Sequence, residues 1–312
     1  FLTGTVGVII GGPIALLIVS AIWPELIGVS GPDAVWRGMA ALAGSWIGGG
    51  ANMLAMKEIY GADGKIFTIM VTVDIVVANI WMAGLLYMAA NHKRIDAKNG
   101  ADTSSIDRLV EKVEAHTKAN SKTPELKDYM LILAVGLGAA GMAHLAADYL
   151  VPFFQNNYPD LKKFSLHSKL FWIIVLVTSI GLALSFTKVR NLESVGASKV
   201  GSSFLYVLVA TIGLHMDITQ IVEAPKYMVI GLIWMAVHVI LLFAVGKFIK
   251  APVFYLAVGS KANIGGAASA PVIASAFHPS LAPVGVLLAV LGYALGTYMA
   301  WLCGQLLRIV GS

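Results

Sequence analysis

Apolar residues run along this chain in long blocks, with no two-residue alternation and no single amphipathic stripe. Nine blocks reach or approach the roughly 17–25 residues that cross a bilayer; they lie near 4–23, 35–59, 67–91, 130–151, 170–186, 201–216, 226–247, 252–277 and 283–307. Each predicts a helix, because lipid offers backbone N–H and C=O groups no partner outside a helix or a closed barrel. The sequence lacks the alternating strands that a barrel needs. One polar stretch, 92–128, interrupts the pattern. It carries His92, Lys93, Arg94, Lys98, Arg108, Lys112, Lys118, Lys122 and Lys127, with Ile106, Leu109, Val110 and Val113 at helical spacing. It reads as a solvated, partly amphipathic cytoplasmic linker, because basic residues collect on that side. Alternation then puts 152–169 outside, Lys188, Arg190 and Lys199 inside, Asp217 and Glu223 outside, and Lys247 and Lys250 inside.

Composition turns this pattern into a class. Of 312 residues, 58% are hydrophobic and 12% charged, with a mean hydropathy of +0.79. A soluble domain carries about 25% charge, so this chain cannot cover a globule with polar surface and must face lipid. The net charge of +5 belongs to the loops and implies no nucleic-acid partner. A single cysteine, Cys303, excludes a disulfide framework and a cysteine-built metal site.

Two glycine-rich passages repeat. Residues 44–61, GSWIGGGANMLAMKEIYG, resemble 259–278, GSKANIGGAASAPVIASAFH. One offset of about 217 residues aligns Ile47-Gly48-Gly49 with Ile264-Gly265-Gly266, Met82-Ala83 with Met299-Ala300, and Trp81 with Tyr298. The repeat divides the chain into 1–91 (the second half of repeat 1), the linker 92–128, and 129–312 (repeat 2). By the same offset, repeat 1 lacks about 87 residues at its start, enough for three segments; a full length of about 400 residues is expected. The stretch before the first motif is acidic (Glu25, Asp33), and the stretch before the second is basic (Lys247, Lys250). Opposite charge at corresponding places predicts inverted repeats whose glycine segments are re-entrant or broken.

Consecutive glycines weaken a helix and allow the positive φ that a break requires. Paired interruptions in two repeat halves point to a transporter's binding site. Ser45, Gly48, Gly49 and Asn52 in the first motif, and Ser260, Asn263, Gly265, Gly266 and Ser269 in the second, are therefore the candidate substrate-binding residues. Close helix packing alone would explain the small residues but not the asparagines or Lys261. Asp74, central in its segment, is costly to insert and is a functional candidate by default. With Asn79 and Lys261 it is the candidate ion-coupling group, either exchanging a proton or, with Asn and Thr oxygens, binding sodium. The alternative is an Asp neutralised by Lys261 or Lys57. Trp46, Tyr293, Thr297 and Tyr298 are further candidates for the site. His144 and Asp148 share a helical face and would line an external vestibule, and His238 reads as a satisfied interior residue. The sequence has no HExxH, P-loop or nucleophile elbow, so an enzyme is not expected, and no cofactor beyond H⁺ or Na⁺.

The motif pair, with LAPVGVLLAVLGYALGTYMAWLCG after the second, resembles the YjcL-like family of integral membrane proteins. That family is grouped with the cation:proton antiporter and anion transporter superfamily. The resemblance implies an all-α inverted-repeat fold, with a core domain on interrupted helices and a scaffold domain through which a homodimer can form. It also implies ion-coupled alternating access, with a carboxylate such as Asp74 as the coupling group. Lys261 departs from the neutral polar residue of many relatives. The expectation is an ion-coupled secondary transporter of a small organic anion, in the bacterial inner (plasma) membrane. The alternatives are a cation/proton antiporter without an organic substrate and a non-transporting membrane scaffold.

Overall fold

The computed structural model describes residues 1–120, 123–159, 161, 166, 167, 169–197, 199–201, 203, 204, 207 and 225–312. Among them the chain is helical and contains no strand. The helices are α1 (Leu2–Ser20), α2 (Val35–Tyr60), α3 (Gly64–Ala90), α4 (His92–Asn99), α5 (Ser104–Asn120), α6 (Leu126–Asn157), α7 (Lys169–Leu184), α8 (Pro225–Phe248), α9 (Val253–Asn263), α10 (Gly266–Phe277) and α11 (Ala282–Gly311). Among the described residues, five helical stretches are long and apolar enough to cross a membrane: α1, α3, α6, α8 and 279–311, which contains α11. A sixth forms if α7 is joined to the 3-10 turn Lys188–Val195, which is bent from it by 92°. The expected segment 201–216, with Asp217 and Glu223 beyond it, lies largely or wholly outside the described residues.

The two glycine segments are not continuous spans. Gly49 has φ 76° and ψ −177°, a backbone region essentially restricted to glycine. There α2 turns back on itself. The Trp36 and Tyr60 rings, near opposite ends of its sequence, sit 5.9 Å apart, and the Arg37 guanidinium donates to the Tyr60 carbonyl. A straight helix would separate them by about 36 Å at 1.5 Å per residue. The second segment does the same: α9 ends at Asn263, α10 starts at Gly266, and the Phe254 and Phe277 rings meet at 5.3 Å. Each segment is thus a helical hairpin with glycines at its tip. The sequence offset carries over to the elements, since α2 matches α9–α10 and α3 matches α11.

By packing, the chain forms two compact units, 1–115 with 217–312, and 116–216. In the first, α1 lies on α8 through glycines: a Cβ on Gly11 would come within 2.7 Å of the Trp234 ring. Pro13 inside α1 has no N–H for the carbonyl of Ile9, and the Cys303 thiol reaches that carbonyl at 3.8 Å. The linker departs from its solvated reading. Ile106, Leu109 and Val110 pack on the core formed by Leu85, Phe254, Ala257, Ile273 and Leu281. Asp96, 3% exposed, accepts from Val253 N at 2.8 Å and so caps α9. In the second unit, α6 and α7 meet through Phe154 stacked on Trp172 at 5.1 Å. There Asp148 pairs with Lys169 and His144 is exposed.

Candidate functional site

The tips of the two hairpins converge on one side of α11. A Cβ on Gly49 or on Gly266 would come within 2.9 Å of Tyr293 Cε1, so the tyrosine ring lies against both breaks. One residue earlier, Gly292 faces the carbonyls of Ala262 and Ile47, where the first arm of each hairpin ends. One turn later, Gly296 lies on Gly48, and a Cβ on Gly296 would be 2.5 Å from the Gly48 Cα. A side chain at either position would push the helices apart, so the convergence depends on this four-residue glycine spacing. Beyond the tips, the hairpins lie toward opposite ends of α11. Residues of the second pack on Leu281, Val284 and Leu288 near its start. The base of the first meets Gly304, and Trp36 meets Gly311, near its end. There Tyr60 Oη donates to the Trp301 carbonyl and accepts from Gln305 Nε2 at 3.1 Å.

The two asparagines fasten the tips. Asn52 Nδ2 donates to Gly48 O at 2.8 Å and Tyr293 O at 3.2 Å, and its Oδ1 accepts from Thr297 Oγ1 at 2.8 Å. Asn263 Nδ2 donates to Phe1 O at 2.9 Å and Gly259 O at 3.3 Å, and its Oδ1 accepts from Thr5 Oγ1 at 3.0 Å. Both side chains are buried with their polar atoms engaged in the protein. Ser260 is held similarly. The Gly4 carbonyl can only accept, so neutral His238 donates to it from Nδ1 at 3.0 Å; Nε2 then accepts from Ser260 Oγ at 2.8 Å. Trp81 Nε1 donates to the same hydroxyl oxygen at 2.8 Å. The ring of His238 is thereby a satisfied interior group.

Two charges remain near the tips. Half-buried Asp74, on α3, accepts from Ser45 Oγ at 2.6 Å on Oδ2 and from Trp46 Nε1 at 2.8 Å on Oδ1. Ser45 and Trp46 lie on the first hairpin arm, one turn before its tip. Lys261 lies on the corresponding arm of the second hairpin. It is 2% exposed, and Nζ donates to the Ala78 carbonyl of α3 at 3.3 Å, one turn beyond Asp74. Beside it, Ser269 Oγ is buried without a hydrogen-bond partner, and a Cβ on Gly265 would run into that hydroxyl and lie 3.1 Å from Lys261 Nζ. Lys57 pairs with Glu58 at 3.0 Å, and among the described residues no ion pair within 4 Å joins Asp74 to either Lys57 or Lys261. Asn79 is not brought to Asp74: it is exposed and donates to Ile75 O of its own helix at 2.7 Å.

Of the candidate residues, Ser45, Gly48, Gly49, Asn52, Asp74, Ser260, Lys261, Asn263, Gly265, Gly266 and Ser269 all lie at or within two turns of the converging tips. Sequence reading passed over Gly292 and Gly296, which their four-residue spacing could have revealed, and Thr5 and Trp81, which carry no such signal. Two cavities, of about 540 and 280 Å³, lie elsewhere, beside the linker helices α4 and α5.

Comparison with known proteins gives a family. Over 317 aligned residues the chain is 23% identical to the uncharacterized membrane protein YjcL of Bacillus subtilis (strain 168), covering 98% of this chain and 74% of that protein. No solved structure matches. The apolar helices and this relative make the chain an integral membrane protein. Matched by it over residues 1–310, the family described as a protein of unknown function, DUF819, is the one to which this chain belongs.

Proposed function

We propose that this protein is an ion-coupled secondary transporter of a small organic anion. One observation carries the reading: two helical hairpins, equivalent in sequence, bring their tips together beside a carboxylate and a lysine at the centre of an apolar helix unit. Irregular backbone at membrane depth is tolerated only where protein or a wet cavity surrounds it, and paired interruptions are where transporters bind their substrates. The contacts of the hairpins toward opposite ends of α11 support inverted repeats, each entering from its own side. Lys261, the unpaired Ser269 hydroxyl and the N-terminus of α10 supply positive charge and donors to an anion. Lys261 and these donors favour a bound anion over the alternative of a cation/proton antiporter without an organic substrate, because Lys261 would compete with an incoming cation for Asp74. Asp74 is the coupling group, and substrate and ion bind near the midplane while the tips alternate in exposure.

The test is a ligand-stabilisation screen on the full-length protein, because a bound substrate raises apparent stability by mass action. Uptake into proteoliposomes follows for whatever stabilises it. Asp74→Asn should abolish coupled uptake while the protein still folds. Unchanged uptake in this variant would remove Asp74 from the mechanism.

A further inference from the structure

The tips carry a further inference that rests on the transport reading and concerns the coupled ion and its ratio to the anion. Lys261 Nζ donates to the Ala78 carbonyl, one helical turn along α3 from Asp74, while the Asp74 carboxylate is held by Ser45 and Trp46. Several other titratable groups on the elements packed against α3 have partners elsewhere: Arg37 of α2 donates to the Tyr60 carbonyl, Lys226 of α8 pairs with Glu25, and Tyr255 of α9 donates to Ser105. His238 of α8 is bonded to Gly4 and Ser260, and Lys57 of α2 pairs with Glu58 over the Phe67 ring. The charged residues of α4 follow the far end of α3, and α10 carries none. The local charge is therefore set by Asp74, Lys261 and whatever binds.

Four occupancies follow. Empty, with Asp74 ionised and Lys261 protonated, the pair sums to zero. A monovalent anion alone makes the site negative, and a proton on Asp74 alone makes it positive. Both together return it to zero. Net charge in a water-poor interior is what burial penalises most, so the empty and doubly loaded sites are the states that can exchange sides. The hydrogen bonds then select the ion. Ser45 and Trp46 point donor hydrogens at the two carboxylate oxygens, where a sodium ion would need lone pairs. The indole N–H can only donate, but a hydroxyl can turn and accept. A proton from water can therefore bind Oδ2 and donate to Ser45 Oγ, leaving the Trp46 bond in place. Thr72 Oγ1 is turned to Thr68 O at 3.2 Å and Asn79 is exposed, so neither completes a sodium shell here.

We infer that the protein is an electroneutral symporter that moves one proton on Asp74 together with one monovalent anion on Lys261.

Asp74→Asn fixes the carboxyl in its protonated charge state and leaves Lys261 uncompensated. The full-length variant, in detergent at neutral pH, is titrated with potassium chloride, nitrate, acetate and lactate, with potassium gluconate holding ionic strength. Its Tm should rise with these small anions. Wild type should respond weakly at neutral pH and more strongly as pH falls, while the charge-neutral double variant Asp74→Asn/Lys261→Met should not respond. The inference is overturned if Asp74→Asn responds no more than wild type at neutral pH, or if the double variant still responds. If sodium in place of potassium stabilises wild type but not Asp74→Asn, the proton assignment falls and the transport reading stands. If no variant responds to anions, pH or sodium, both fall.

Discussion

Gly49→Ala probes the first hairpin where the geometry is most demanding. At φ 76° and ψ −177° an alanine occupies a region that costs on the order of 1–3 kcal/mol for any residue with a Cβ. The new methyl would also lie 2.9 Å from Tyr293 Cε1, and overpacking of this kind costs about 1–3 kcal/mol more. The two contributions have separate origins, so a total of about 2–6 kcal/mol is expected. Equilibrium unfolding of the full-length protein in mixed micelles measures it, with Gly84→Ala on α3 as the control. A Cβ at Gly84 meets only the Trp81 ring, at 3.6 Å, so the control should be neutral or gain up to about 1 kcal/mol from helix propensity. Repeating Gly49→Ala in a Tyr293→Leu background separates the two parts: the ring contact is relieved and the backbone strain persists. A loss below about 1 kcal/mol for Gly49→Ala in the wild-type background, against a strain cost of that size or more, would refute the assignment of Gly49 as the turn.

Further outcomes follow from other contacts. Asn52→Leu removes three hydrogen bonds, those to Gly48 O and Tyr293 O and the one from Thr297 Oγ1; at about 0.5–1.5 kcal/mol net per bond, it should destabilise more than Asn79→Leu, whose amide is exposed, in the same unfolding assay. Asp96→Ala removes the cap on Val253 N and should cost about 0.5–2 kcal/mol, whereas Asp96→Asn keeps an acceptor and should cost less; equal losses would show that Asp96 does not act as a cap. In the short 3-10 turn Pro24–Leu26, outside the membrane-length helices, Glu25 has its carboxyl held below the usual carboxylate range, first by a backbone hydrogen bond and then by Lys226 at 3.1 Å. Its folded value is depressed, so its contribution to stability is present above the unfolded carboxylate range and lost as pH falls through the folded value. Glu25→Gln should flatten that part of the acid limb in a pH series of melting curves, and salt should shrink the difference; an unaltered limb at low salt would count against the pairing.

The sequence by itself determined what is local. Membrane residence follows from having too little charge to cover a soluble surface, and the helices follow from the need of buried backbone to bond within its own segment. The positions of both breaks were legible in Gly48-Gly49 and Gly265-Gly266, because positive φ is a property of the residue that adopts it. Asp74 and Lys261 stood out because charge in an apolar segment is costly wherever the chain goes next. Tertiary structure decided the rest. A glycine permits a turn without fixing its direction; packing of Trp36 on Tyr60 and of Phe254 on Phe277 folds the segments into hairpins. The close approach of Gly48 to Gly296, separated by hundreds of residues in sequence, brings the tips to Tyr293. Long-range partners also assign roles that composition cannot: Thr297 and Thr5 engage Asn52 and Asn263 as fasteners, while Ser45 and Trp46 hold Asp74, for which a lysine partner had been the alternative reading. The amphipathic linker shows the same division, since its helical spacing was readable, but the core at Leu281 and Phe254 decided that its apolar face is covered by protein.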